Sequence, residues 1–136
     1  MANYKIDDIE GIGPATAQKL IAAGVKDTDS LLKKGCAAAG RKELAAASGL
    51  DEKKLLEFVN MADLYRIKGV GSEYAELLMS AGVDTVKELA TRRSDNLTKK
   101  MGEVNEQKKL TRKLPTETVV TGWIDEAKKL PAVVTH

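Results

Sequence analysis

Hydrophobic residues recur at helical spacing along most of the chain. Two short segments of this kind begin at Pro14 and Ser72, since proline favours the first helical position and serine a helix cap. Each segment ends at a glycine, Gly24 or Gly82, as helices commonly do. Their apolar positions fall on one face: Ala17, Leu20, Ile21, Ala75, Leu78 and Met79. The pattern predicts two short amphipathic helices.

Cap residues predict further helices in both units. Asp27, and either Asp84 or Thr85, can cap short helices that follow the first two, and Gly35 ends the one after Asp27. A helix is predicted over 38–48, with Gly49 as its stop. Asp51 then opens a longer helix whose apolar stripe is Leu55, Phe58, Val59, Ala62 and Tyr65.

Caps and apolar spacing predict two more helices in the last third of the chain. One begins with Ser94 as its cap and runs to about Glu103. Pro115 breaks the chain, and Thr116 starts a final helix that ends before Pro131. Its expected apolar face is Val119, Val120, Trp123, Ile124, Ala127 and Leu130. Because few segments alternate with the period of a strand, we expect an all-α fold.

An internal repeat organises these helices. Residues 9–25 match residues 67–83 at an offset of 58, with 8 identities in 17 positions, where unrelated sequences would share about one. The identical pairs are Ile9/Ile67, Gly11/Gly69, Gly13/Gly71, Ala17/Ala75, Leu20/Leu78, Ala23/Ala81, Gly24/Gly82 and Val25/Val83. We therefore expect two pseudo-repeated units, 1–64 and 65–136, the second carrying the C-terminal helix, packed as one compact helical body.

The repeated motif contains two glycines around one apolar residue. Glycine accepts positive φ and adds no side-chain bulk, so the pair favours a tight turn between helices with the apolar residue pointing inward. Such a turn leaves backbone N–H groups at a helix N-terminus, where an anion such as phosphate is stabilised. The residues are Gly11, Ile12 and Gly13 in the first copy and Gly69, Val70 and Gly71 in the second.

This pattern resembles the helix-hairpin-helix motif, present twice. The resemblance covers residues 9–25 and 67–83 and implies binding of DNA without sequence preference, each hairpin lying against the backbone across the minor groove. As a whole the chain is also similar to a bacterial family of double helix-hairpin-helix proteins of unknown function.

The first copy fits the resemblance well. Pro14 opens the second helix of the hairpin, and Thr16 and Lys19 lie where phosphate-contacting side chains usually sit. We expect this hairpin to be the anchor on DNA.

The second copy departs from the pattern. Leu77 stands where the first copy has Lys19, and Glu73 and Glu76 bring two negative charges that complement the helix dipole but repel phosphate. Lys68 and Ser72 partly offset them.

Charge gives a second line of argument. The net charge is only +2, low for a protein that neutralises phosphates, and it is −1 over residues 1–65 and +3 over 66–136. Residues 92–113 carry a local +5. This basic segment is expected to supply phosphate contacts that the second hairpin lacks, although a solvated helix face is the alternative interpretation. Its basic residues are Arg92, Arg93, Lys99, Lys100, Lys108, Lys109, Arg112 and Lys113.

Composition argues against an enzyme. Cys36 is the only cysteine and His136 the only histidine, so the usual nucleophilic and zinc-binding constellations are not expected, and we expect no catalytic residue, metal or cofactor. The glycine turns lack the Gly-Lys-Ser/Thr ending of a nucleotide-binding loop. No apolar run reaches the roughly 18 residues of a membrane span and no signal core follows the N-terminus, which favours a cytoplasmic protein without membrane contact.

Two functions remain open from the sequence. The first is a non-catalytic protein that grips duplex DNA through its backbone. The second is a protein-interaction or scaffold module that keeps the fold without binding nucleic acid, which the near-neutral charge and the acidic second hairpin favour. The sequence does not predict an oligomeric state.

Overall fold

The computed structural model describes residues 3–9 and 11–136, and these residues form eight α-helices, one short 3-10 helix and no strand. The expected all-α class is confirmed. The helices are α1 (Pro14–Ala22), α2 (Thr28–Gly35), α3 (Ala38–Ser48), α4 (Glu52–Leu64), α5 (Ser72–Ser80), α6 (Val86–Leu89), α7 (Ser94–Lys108) and α8 (Glu117–Lys129), preceded by the 3-10 helix Ile6–Asp8.

The chain divides into two units. The first is Met1–Asp63 together with Val133–His136, and the second is Leu64–Ala132. α1 to α3 and nearly all of α4 belong to the first unit, and α5 to α8 belong to the second.

Equivalent residues of the two units have the same local backbone geometry. Gly11 and Gly69 both have φ of +90°. Gly24 and Gly82, just past α1 and α5, have φ of +91° and +95°, the left-handed conformation that favours glycine after a helix. The hydrogen bonds that follow also match, because Val25 donates to Leu20 and Val83 to Leu78, at 2.8 and 2.9 Å.

The next helix of each unit is capped at the same offset of 58 residues. The Asp27 carboxylate accepts the Ser30 backbone N–H at 2.8 Å in a capping box, and the Thr85 hydroxyl accepts that of Glu88 at 3.2 Å. Thr85 is therefore the cap, not Asp84. Ser72, predicted as a cap, is instead the first helical residue of α5, and Gly71 precedes it as the cap.

The predicted apolar stripes are buried for the most part. On α4, Leu55, Phe58, Val59 and Ala62 are buried, as is Tyr65 just beyond it. On α8 the expected face was too wide, since Val119 is 44% exposed and Leu130 half-buried at the helix end. The buried positions are Val120, Trp123, Ile124 and Ala127, which follow the i, i+3, i+4, i+7 spacing of a single helical face.

α7 is longer than the sequence predicted. It runs to Lys108, five residues past Glu103, because Val104 is buried and continues the apolar face of Leu97 and Met101. It ends at Lys109, which adopts the left-handed conformation at φ +52° without being a glycine.

A buried arginine fixes the last residues of the chain to the first unit. Arg41 is 5% exposed, and its guanidinium donates to the carbonyls of Gly35, Cys36 and Thr135 at 2.8, 3.1 and 2.7 Å. The Thr135 backbone N–H in turn donates to the Cys36 carbonyl at 2.8 Å. This network satisfies the buried guanidinium with carbonyl oxygens.

Candidate nucleic-acid interface

The first hairpin is a tight turn between the 3-10 helix and α1. The Ile12 backbone N–H donates to the Ile9 carbonyl at 3.1 Å, and Gly11 takes the positive φ that this turn requires. Ile12 is buried, as expected of the apolar residue that points inward, so only its backbone can face a ligand. The Phe58 ring lies under the turn, 3.7 Å from where a Cβ on Gly11 would stand.

Gly13 is not required by the fold. Its φ of −88° and ψ of −179° are extended backbone that any residue adopts, and a Cβ added there would meet no atom of the described residues within 4 Å. The residue is exposed. Gly71 also has an extended backbone, with φ of −99°, and open space around its Cβ position. Within each pair, positive φ is therefore confined to the first glycine, Gly11 or Gly69.

The N-terminus of α1 is open. Gly13 offers no side-chain cap, and the backbone N–H groups of Ala15 and Thr16 have no partner among residues 3–9 and 11–136. Thr16 is half-buried and Lys19 exposed one turn further along. The helix dipole and these donors give a positive local field.

An ion-paired lysine lies over the ring that underlies the first hairpin. Lys54 Nζ stands 6.0 Å from the centre of the Phe58 ring, the ring that underlies Gly11, and 3.4 Å from the Glu57 carboxylate. Lys54 is exposed, and the Glu57 carboxylate balances its charge. Lys54 lies outside the repeated motif, and the packing of Phe58 under Gly11 brings this part of α4 near the turn.

The second hairpin has the same turn but acidic neighbours. Val70 is buried, Gly69 and Lys68 are exposed, and Ser72 is half-exposed at the start of α5. The Lys68 backbone N–H donates to Glu126 Oε1 of α8 at 3.1 Å. Glu126, which the sequence motif does not contain, thus occupies a donor of the turn itself.

The segment after α7 folds against this hairpin. Asn105 holds it by accepting from the Thr111 N–H and donating to the Thr111 carbonyl, both at 3.0 Å. The Thr111 hydroxyl donates to Glu73 at 3.3 Å, and the Tyr74 hydroxyl donates to the Lys113 carbonyl at 2.9 Å. The exposed Arg112 between them is therefore held near the first turn of α5.

The other basic residues of the 92–113 segment have different environments. Arg92 is half-buried and bound internally, to the Gly82 carbonyl at 3.0 Å and to Glu88 at 3.1 Å. Arg93 is exposed and pairs with Asp95 at 3.0 Å. Lys99 and Lys100 are exposed on α7. The exposed residues remain accessible to a ligand, whereas the structure gives Arg92 a role in the fold.

Two surface carboxyl groups, Asp27 and Asp95, have lowered pKa values. Hydrogen bonds from Ser30 and Asn3 lower the pKa of Asp27 to about 2. The Asn96 backbone N–H, together with Arg93, holds the pKa of Asp95 below its ordinary value. Both shifts reflect stabilised carboxylates at helix starts.

The matching family has no assigned activity. A family model described as "Domain of unknown function (DUF4332)" matches residues 10–130. The chain belongs to this family. The DUF4332 match spans α1 to α8 and begins after the 3-10 helix Ile6–Asp8. No curated protein and no solved structure matches the chain.

The described residues contain neither a membrane-spanning helix nor a metal-binding cluster. None of the helices described is long and apolar enough to cross a membrane. The described histidine, cysteine, aspartate and glutamate residues form no group of three that could hold a metal ion.

Proposed function

We propose that this DUF4332 protein is a non-catalytic, cytoplasmic bacterial protein that binds duplex DNA through its sugar-phosphate backbone, using tandem helix-hairpin-helix motifs without sequence preference. The hairpin residues offered to DNA are the backbone of Gly11 to Gly13 with Thr16 and Lys19, and the backbone of Gly69 to Gly71 with Lys68 and Ser72. Arg93, Lys99, Lys100 and Arg112 extend the footprint.

Gly13 and Gly71 provide the main support for this proposal. A glycine that neither φ nor packing requires is expected where another molecule comes close to the backbone. At both positions the following helix begins without a side-chain cap. A phosphate oxygen fits this combination of open space and unpaired N–H donors.

The charge distribution supports a backbone contact rather than base reading. Exposed lysine and arginine side chains near the hairpins neutralise phosphates, which position a duplex but carry no sequence information. The small net charge of +2 is consistent with modest affinity at physiological salt.

Fluorescence anisotropy of labelled duplexes tests the proposal. Two unrelated sequences of about 25 base pairs should bind with equal affinity, and affinity should fall about a hundredfold between about 50 and 200 mM salt. A strong preference for one sequence, or no binding at about 50 mM salt, contradicts it.

Exposed apolar side chains favour a second candidate function, a protein-interaction module. Ile21 on α1 is 54% exposed, and Leu114 and Val119 are also exposed. A protein partner recovered from cell extract that survives nuclease and high salt would support this function. Loss of the partner on nuclease treatment would contradict it.

A further inference from the structure

The indole N–H of Trp123 lies beside the second hairpin without a partner. The side chain is 4% exposed, and Nε1 is 3.5 Å from where a Cβ on Gly69 would stand. Nε1 donates to no group in the described part of the chain, and it is not sealed from solvent. A tryptophan N–H on a packed ring usually finds an acceptor, and here the open side is the exposed turn at Gly69.

The indole is held in this position. The Tyr74 ring packs against it with a centroid distance of 5.3 Å and an interplanar angle of 53°. Tyr74 is itself anchored by its hydroxyl to the Lys113 carbonyl. The Tyr74 contacts therefore fix the orientation of the donor beside the turn.

A carboxylate lies at the same turn. Glu126 accepts the backbone N–H of Lys68, the residue before Gly69. Its charge opposes an incoming anion, and its oxygen already uses one donor of the turn. At the first hairpin the ring under Gly11 is Phe58, which has no N–H donor. The two hairpins thus offer different donors to a ligand.

We propose that Trp123 Nε1–H is a phosphate-binding group of the second hairpin and that Glu126 weakens this site. The inference rests on the proposed function, because it takes a backbone phosphate oxygen of duplex DNA as the acceptor. It assigns binding roles to two residues of α8 that lie outside the repeated motif.

The test uses Trp123 as its own reporter, since it is the only tryptophan of the chain. An unlabelled duplex titrated into the wild-type protein should change the tryptophan emission, with the same midpoint as the anisotropy of a labelled duplex. Glu126→Gln keeps an oxygen acceptor for Lys68 but removes the charge, and it should tighten duplex binding about fivefold at low salt.

Asp125→Asn is the matched control. It removes the same charge from the neighbouring position of α8, where the side chain lines a cleft with Arg93 and Ser94 rather than the Gly69 turn. It should tighten binding clearly less than Glu126→Gln. Trp123→Phe keeps an aromatic ring but loses the donor, and it should weaken binding about tenfold while circular dichroism remains unchanged.

The outcomes separate this inference from the proposed function. A duplex that binds without changing Trp123 emission, or Glu126→Gln that binds no better than Asp125→Asn, overturns the inference alone. A protein that leaves duplex anisotropy unchanged overturns both. An emission change produced by polyglutamate but not by duplex overturns the phosphate assignment in favour of an acidic protein ligand.

Discussion

Arg92 closes the turn after α5 by donating from Nη2 to the Gly82 carbonyl at 3.0 Å. The residue 58 positions earlier, Lys34, makes a similar contact after α1. Its Nζ donates at 3.3 Å to the carbonyl of Ala23, one residue before the equivalent of Gly82. Both cations lie at a helix C-terminus, where they satisfy a carbonyl oxygen and complement the helix dipole. The two units therefore share a side-chain contact made by residues that lie beyond the matching segments 9–25 and 67–83.

This relationship predicts a structural effect for Arg92. Arg92→Ala should lower the free energy of unfolding by about 1 kcal/mol, because it removes a hydrogen bond to a helix-terminal carbonyl. Urea denaturation measures this change. Arg93→Ala is the control, since that side chain is exposed; it should leave stability within about 0.5 kcal/mol and weaken duplex binding more. A larger loss of stability in Arg93→Ala than in Arg92→Ala, together with a larger loss of duplex binding in Arg92→Ala, would contradict the structural role of Arg92.

The capping box at Asp27 predicts a pH-dependent contribution to stability. Because the folded pKa of about 2 lies below the ordinary 3.8, Asp27 stabilises the fold above about pH 4 and loses that contribution as pH falls toward 2. Asp27→Ala should cost about 1 kcal/mol at neutral pH.

Thermal or urea unfolding of wild type and Asp27→Ala from neutral pH to about pH 2 measures this contribution. The difference between the two proteins should shrink through that acidic range. Asp27→Asn, which retains an oxygen acceptor, should lose less stability at neutral pH. A difference that stays constant down to about pH 2 would contradict the role of the ionised carboxylate.

Arg41 predicts a large stability effect in the first unit. Arg41→Lys keeps the charge but cannot present a planar fork to three carbonyls, so unfolding free energy should fall by about 2 to 3 kcal/mol. Lys42→Ala at the exposed neighbour should change it by less than about 0.5 kcal/mol. Hydrogen exchange of the Thr135 amide should accelerate only in the Arg41 variant. Equal stability of the two variants would show that the network is dispensable.

The lysine pair on α7 predicts a change in salt dependence. Lys99→Ala with Lys100→Ala should weaken binding equally on all duplex sequences and reduce the slope of log affinity against log salt by roughly two units. Lys128→Ala with Lys129→Ala removes the same charge from α8 and should change the slope less. A slope unchanged by the Lys99 and Lys100 substitutions would remove this part of α7 from the interface.

Much of the helical fold could be predicted because local signals fix its ends. Pro14, Asp27 and Gly49 act through their own backbone geometry or through residues three positions away, so their roles are visible in sequence. The end of α7 was missed because Lys109 takes a left-handed conformation that lysine rarely adopts.

The neighbourhood of the site was harder to predict than its turns. Glu126 and Trp123 come to the Gly69 turn from a helix more than fifty residues further along the chain, and no periodicity indicates such a contact. The sequence predicts a phosphate contact for Arg92, because charge alone does not distinguish a solvated arginine from one bound to a carbonyl. Long-range packing decides both cases.

Gly13→Ala shows whether phosphate approaches the backbone at Gly13. The added methyl group meets no atom of residues 3–9 and 11–136 within 4 Å, so the fold should be kept at a cost of about 0.5 to 1 kcal/mol at the helix cap. Gly122→Ala is the matched control, an exposed glycine whose Cβ position is also open.

The measurement is duplex anisotropy at about 50 mM salt, where phosphate contacts dominate affinity. We expect Gly13→Ala to lose roughly tenfold or more in affinity, since the methyl group keeps a phosphate from the N–H donors, and Gly122→Ala to bind as wild type. A folded Gly13→Ala protein that binds the duplex with wild-type affinity would show that phosphate does not approach the backbone at Gly13.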